Sequence, residues 1–163
     1  MQKSIWVPPH SWCEQVNGQM LYRGFSRRVE GRVLTIASPE LRQPRNMPVD
    51  VQTSIDNWFE RKFGIRFRQR SLFATGSLEI AESYASERGE VRSLEPQADF
   101  CFCWSEECVD LYSEYQQSYS GESIDQLMER LDFRCDNLDY ALRTGNEIMF
   151  VCRQVAATRL TTP

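Results

Sequence analysis

The chain is poor in three things that usually point to a mechanism: histidine, lysine and glycine-rich loops. With His10 as its single histidine, a Ser-His-Asp or Cys-His relay has one imidazole to draw on, and no spacing pairs it with Cys13 or any serine. No stretch approaches the roughly 18 consecutive apolar residues of a membrane-spanning helix, and the opening "MQKSIWVPPHSW" lacks the apolar run of a secretory signal. The expectation is a cytoplasmic protein with no membrane partner. Neither a P-loop nor a Rossmann glycine pattern occurs, so any nucleotide must be held by another geometry. The cysteines Cys101, Cys103 and Cys108 lack the Cys-x2-Cys knuckle of a zinc site, so no metal is expected. The six cysteines read as reduced thiols, several of them small hydrophobes in apolar surroundings.

What is present fits an ordinary globular chain. Its 163 residues, 41% hydrophobic and 12% aromatic, suit one domain over 1–163 with a sizeable core. The net charge of −4 hides an asymmetry: residues 1–70 carry a net +6 and residues 71–163 a net −10. Only Lys3 and Lys62 are lysines; nearly all the positive charge is arginine, the side chain that grips phosphate through paired hydrogen bonds. The stretch "RKFGIRFRQR" (61–70) concentrates it. That stretch reads as a solvated helix end running into a strand, with a charge that would attract an anionic ligand.

Periodicity divides the chain into short elements. "QMLYRG" (19–24), "RVLTI" (32–36), "FRQRSLFAT" (67–75), "EVRSL" (90–94) and "ADFCFCW" (98–104) read as strands. In the last, Phe100, Phe102 and Trp104 share one side and Cys101 and Cys103 the other, as in a central strand. Apolar residues at helical spacing from Val49 to Phe63, with Gly64 behind them, predict a helix. Three more are expected: at 78–86 capped by Ser77, at Ile124–Leu131 opened by the box Ser123-x-x-Gln126, and at 137–143 capped by Asp136 and ended by Gly145. A long surface loop is expected over 39–48, a strand buried on both faces follows Glu147, and "QVAATRL" forms a weaker last strand. Helices gather in clusters between groups of strands, which argues for an α+β fold with mostly antiparallel sheets and flanking helices.

Three polar positions stand out against this frame. Arg23 lies in an apolar strand and is followed by Gly24, whose lack of a side chain would let a ligand approach the backbone. The strand ending Phe73-Ala74-Thr75 passes through Gly76 and Ser77 into a helix carrying Ala81, Tyr84 and Ala85. Glu147 places a carboxylate at the mouth of an otherwise apolar strand.

In this order, "YRG" (22–24), "LFATGSLEIAESYA" (72–85) and "GNEIMFV" (145–151) resemble the Arg, Ser/Thr-strand and Glu motifs of the mono-ADP-ribosyltransferases. The resemblance implies an enzyme that cleaves NAD, used as co-substrate, and passes ADP-ribose to an acceptor: a protein, RNA, a small molecule or, in a glycohydrolase, water. It implies a toxin-like bacterial or phage effector, with an inhibitor or antitoxin protein as a further partner. It makes Glu147 the catalytic carboxylate and assigns NAD binding to Arg23, Gly24, Phe73, Thr75, Ser77 and Tyr84. Breaking the nicotinamide–ribose bond builds positive charge on the sugar, and a fixed carboxylate beside it stabilises that charge. Arg23 would hold the diphosphate and Tyr84 would pack against the nicotinamide or the helix beneath it.

Two departures from the family pattern bear on detail. The middle motif often reads Ser-Thr-Ser, whereas here Ala74-Thr75-Gly76 is followed by Ser77, leaving two candidate hydroxyls. Members that modify arginine carry a second glutamate two positions before the catalytic one, where this chain has Gly145. The alternative from another class is a non-catalytic binding module in which Glu147 merely pairs with an arginine.

Overall fold

A computed structural model of the protein describes residues 4–44 and 47–160. After a 3-10 turn at Pro9–Ser11 come α1 (Trp12–Val16), β1 (Leu21–Phe25) and β2 (Val33–Ile36). The middle of the chain forms α2 (Val49–Phe63), α3 (Phe67–Arg70), β3 (Leu72–Ala74), α4 (Leu78–Tyr84), β4 (Glu90–Pro96) and β5 (Phe100–Cys103). The last third forms α5 (Leu111–Gln116), α6 (Ile124–Leu131), α7 (Leu138–Thr144), β6 (Ile148–Cys152) and β7 (Val155–Arg159). The strands make two antiparallel sheets, a four-stranded one in the order β1-β4-β7-β2 and a three-stranded one in the order β3-β6-β5. The fold is α+β with flanking helices, as the clustering of helices suggested.

The three-stranded sheet is buried on both faces, and the alternation of its side chains divides the apolar interior in two. Phe100, Phe102, Ile148, Phe150 and Cys152 face the four-stranded sheet, joining Leu21, Leu94, Val155, Ala157 and residues of α1 and α7 in one core. Cys101, Cys103, Met149 and Val151 face the opposite way, into a second core with Ile55, Trp58 and Phe59 of α2 and Leu127, Met128 and Leu131 of α6. Each fully buried ring such as Phe59 contributes roughly 1.5–3 kcal/mol of burial free energy. A backbone bridge joins the sheets: Tyr22 and Thr75 exchange both N–H···O bonds, at 2.7 and 2.9 Å.

Most local expectations match. α2 spans Val49–Phe63 with Gly64 in the left-handed region at φ 82°, Ser77 caps α4, and the Ser123/Gln126 capping box opens α6. Four differ. The strand expected over 67–75 opens as α3, because the buried Asp56 carboxylate accepts the N–H groups of Arg68 and Gln69 and turns the backbone there. β6 is central and β5 is an edge strand; β5 reads as interior because bridges from Val7 and Arg134 cover its outer side. Asp136 pairs with Arg134 at 2.6 Å, and Asn137, at φ 60°, precedes α7 without a side-chain cap bond. The short helices α1 and α5 were not anticipated. The loop expected over 39–48 is irregular in its described part, and residues 45 and 46 lie outside the described residues.

Candidate functional site

A cleft of about 490 Å³ opens where the two sheets meet, lined among others by Arg23, Phe73, Thr75, Tyr84 and Glu147. These residues come from β1, β3, the turn after it, the end of α4 and the residue before β6. Gly24 also lines the cleft, but its missing side chain serves packing. A Cβ there would stand 2.5 Å from the Ala81 carbonyl oxygen and 2.8 Å from the Ala85 nitrogen, so the glycine lets α4 lie against β1. Ser77 does not line the cleft. Its hydroxyl accepts the Ile80 N–H at 3.2 Å, which occupies it as a helix cap.

Thr75 is 2% exposed, and its hydroxyl is engaged with the backbone on both sides. It donates to the Gly145 carbonyl at 2.8 Å and accepts from the Ser77 N–H at 3.1 Å. Of the two hydroxyls the sequence left open, Thr75 is therefore the one in the cleft, where it ties β3 to the turn that carries Glu147. The neighbouring Gly76 admits no serine: a Cβ would fall 2.1 Å from the Leu142 carbonyl oxygen on α7.

Glu147 is fixed from three directions. Its N–H donates to the Val109 carbonyl at 2.8 Å, Arg68 Nη1 donates to its Oε1 at 3.0 Å, and the Leu111 N–H lies close enough to favour its charged form. The two side chains of this ion pair are 10% (Arg68) and 16% (Glu147) exposed. Burial pushes the Glu147 carboxyl above its ordinary pKa; Arg68 and the Leu111 N–H pull it down, while Asp110 pushes it further up. The Tyr84 phenol, on the outer rim of the cleft, is also raised, by burial and then by the charges of Asp110 and Glu147.

Arginines crowd around Phe73. The guanidinium carbons of Arg68 and Arg42 lie 4.4 and 4.8 Å from the centre of its ring, and Arg23 Nη1 donates to its carbonyl at 2.7 Å. Planar guanidinium groups favour such ring faces. Arg42 arrives on the irregular loop, which is held in place by the Arg42 N–H bonded to the Gln69 carbonyl and by Gln52 Nε2 bonded to the Arg42 carbonyl.

Sequence reasoning missed Arg68, Arg42, Asp110 and Asp56. Signals existed for three of them. Arg68 sits in the basic stretch 61–70, Asp110 begins the helix-capping pattern Asp-x-x-Ser that it fulfils by accepting the Ser113 N–H at 2.8 Å, and Asp56 is a charge on the buried face of α2. Arg42 has no local signature, since a loop packed over the cleft brings it there.

Among the described residues no group of three His, Cys, Asp or Glu side chains stands together as a metal site would require, and no helix is long and apolar enough to cross a membrane. Cys101, Cys103, Cys108 and Cys152 are buried free thiols. Comparison with protein-family models, curated proteins and solved structures finds no match to the chain.

Proposed function

We propose that the cleft binds NAD and cleaves its nicotinamide–ribose bond, and that the chain is a mono-ADP-ribosyltransferase of the toxin-like kind. One observation carries this reading: Arg23, Phe73, Thr75, Tyr84 and Glu147, distant in sequence, converge on one cleft of ligand size. Glu147 is the catalytic residue, held at the end of a doubly buried strand beside the position of the ribose, where its negative charge opposes the positive charge that develops as the bond opens. Nicotinamide departs with the electron pair of the broken bond; the acceptor bonds to the ribose carbon and gives up its proton. Arginines 23, 42 and 68 supply the positive wall for the diphosphate, and Phe73 and Tyr84 supply flat apolar surface for the rings.

The acceptor is a protein, RNA, a small molecule or water, and an arginine side chain fits poorly. The place of the second glutamate belongs to Gly145, which closes α7 in the left-handed region at φ 73° and leaves a Cβ 3.3 Å from Ile80 Cδ1. A glutamate there would be strained.

Free nicotinamide, measured after incubation with NAD and candidate acceptors including RNA, tests the reading. Glu147→Gln is expected to reduce release by two orders of magnitude or more while keeping the fold, on the order of the loss seen when a preorganised charge-stabilising group is removed. If the unmodified chain releases no nicotinamide with any acceptor or with water, the enzyme reading is lost. The Arg68–Glu147 contact favours a second reading, a structural ion pair in a non-catalytic module. Under it, Glu147→Gln would lower unfolding stability by about 3–5 kcal/mol.

A further inference from the structure

The partner that Glu147 has in this structure opposes the task proposed for it. A carboxylate neutralised by a guanidinium at 3.0 Å projects little field toward a neighbouring cation. Either the pair is permanent or something removes Arg68 when substrate arrives.

Arg68 is built for the second case. Its backbone is pinned, since its N–H donates to the buried Asp56 carboxylate at 2.8 Å, and so the guanidinium projects from a fixed base. The head group is held much less completely. Nη1 meets Glu147, the plane lies against Phe73, and Nε is buried with no acceptor among the described residues. A buried donor without a partner destabilises the empty cleft, a cost that an arriving acceptor would remove. The surroundings favour an anion: among the described residues Arg23, Arg42 and Arg68 line the cleft against two carboxylates, Asp110 and Glu147.

We propose that Arg68 is an exchangeable clamp: in the unliganded chain it neutralises Glu147, and a substrate diphosphate takes the guanidinium over, releasing the carboxylate to act. Arg68 is thus both a ligand-binding residue and the positioning partner of Glu147. The active form of the acid is assembled by the substrate itself, which limits unproductive chemistry in an empty cleft. That the anion is the diphosphate of NAD rests on the functional reading above; the exchange between an anion and Glu147 stands on the geometry alone.

Inorganic pyrophosphate, titrated calorimetrically into the full chain at low ionic strength, probes the exchange without any glycosidic bond. Because Glu147 and the anion compete for one guanidinium, Glu147→Gln is expected to bind pyrophosphate more tightly than the unmodified chain, on the order of tenfold. Arg68→Gln should weaken binding by a similar factor, with Arg68→Lys between the two because it keeps the charge and loses the fork. Unchanged or weaker binding by Glu147→Gln overturns the proposal, as does unchanged binding by Arg68→Gln. Should Arg68→Gln fail to fold, the comparison of Glu147→Gln with the unmodified chain still decides. Tighter binding by Glu147→Gln in a chain that never releases nicotinamide would keep the exchange and discard NAD as the ligand; nicotinamide release without that gain would do the reverse.

Discussion

Two buried Arg–Glu pairs in this molecule have opposite characters. Arg92, with no exposed surface, uses every nitrogen: Nε donates to Glu90, Nη1 to the carbonyls of Arg32 and Ala157, and Nη2 to those of Val29 and Gly31. Burial alone would raise the Glu90 carboxyl, but the Val29 N–H and Arg92 more than reverse it, leaving its pKa below the ordinary value. At Glu147 burial prevails over Arg68 and the pKa is raised. A fully bonded guanidinium fixes a loop to a sheet; a guanidinium with an unmet donor, facing a cleft, is suited to a ligand. The type of pair is the same at both sites, and the number of satisfied donors separates them.

Substituting the arginines offers the strongest way to break this comparison. Arg92→Met should lower unfolding stability by about 3–5 kcal/mol, because it takes the nearest cation from Glu90 and one hydrogen bond from each of four carbonyls, whereas Arg68→Met should cost about 1–2 kcal/mol. Equal losses in denaturant titrations would erase the distinction.

Acidity sharpens it with a smaller effect. Since the folded-state pKa of Glu147 is raised, the folded chain holds a proton where the unfolded chain has released it. This residue's contribution therefore makes stability fall as pH rises from the unfolded to the folded pKa, and acidification through that window restores it. The slope is at most about 1.4 kcal/mol per pH unit for one proton. Asp56 acts in the same direction and Glu90 in the opposite one, so the difference between the unmodified chain and Glu147→Gln isolates the effect. A difference independent of pH would contradict the assignment. The smallest expected change is at Ser77: removing the cap in Ser77→Ala should cost about 1 kcal/mol of stability and leave nicotinamide release intact.

How far the sequence could be read follows from where the forces lie. Glycine at the end of α2, the box at the start of α6 and the alternation around Cys101 and Cys103 are local signals, and local structure obeys them. Glu147, Thr75 and Arg23 were legible because a polar residue in or beside an apolar strand is conspicuous. Asp56 overrode the strand pattern of 67–70 from twelve residues away along the chain, and no window of sequence contains that instruction. The partner of Glu147 was illegible for the same reason: Arg68 lies on α3, an element that exists because of that distant carboxylate.

The placement of β6 has a mechanical consequence. All five of its residues are buried, between two cores and two neighbouring strands. A partial opening that peels away β2 or the short α1 leaves it standing, and it comes apart only when the whole molecule does. The acid at its head is therefore mounted on the part of the protein that yields last, while two of the cleft arginines, Arg42 and Arg68, are carried by a loop and a single helical turn outside the sheets.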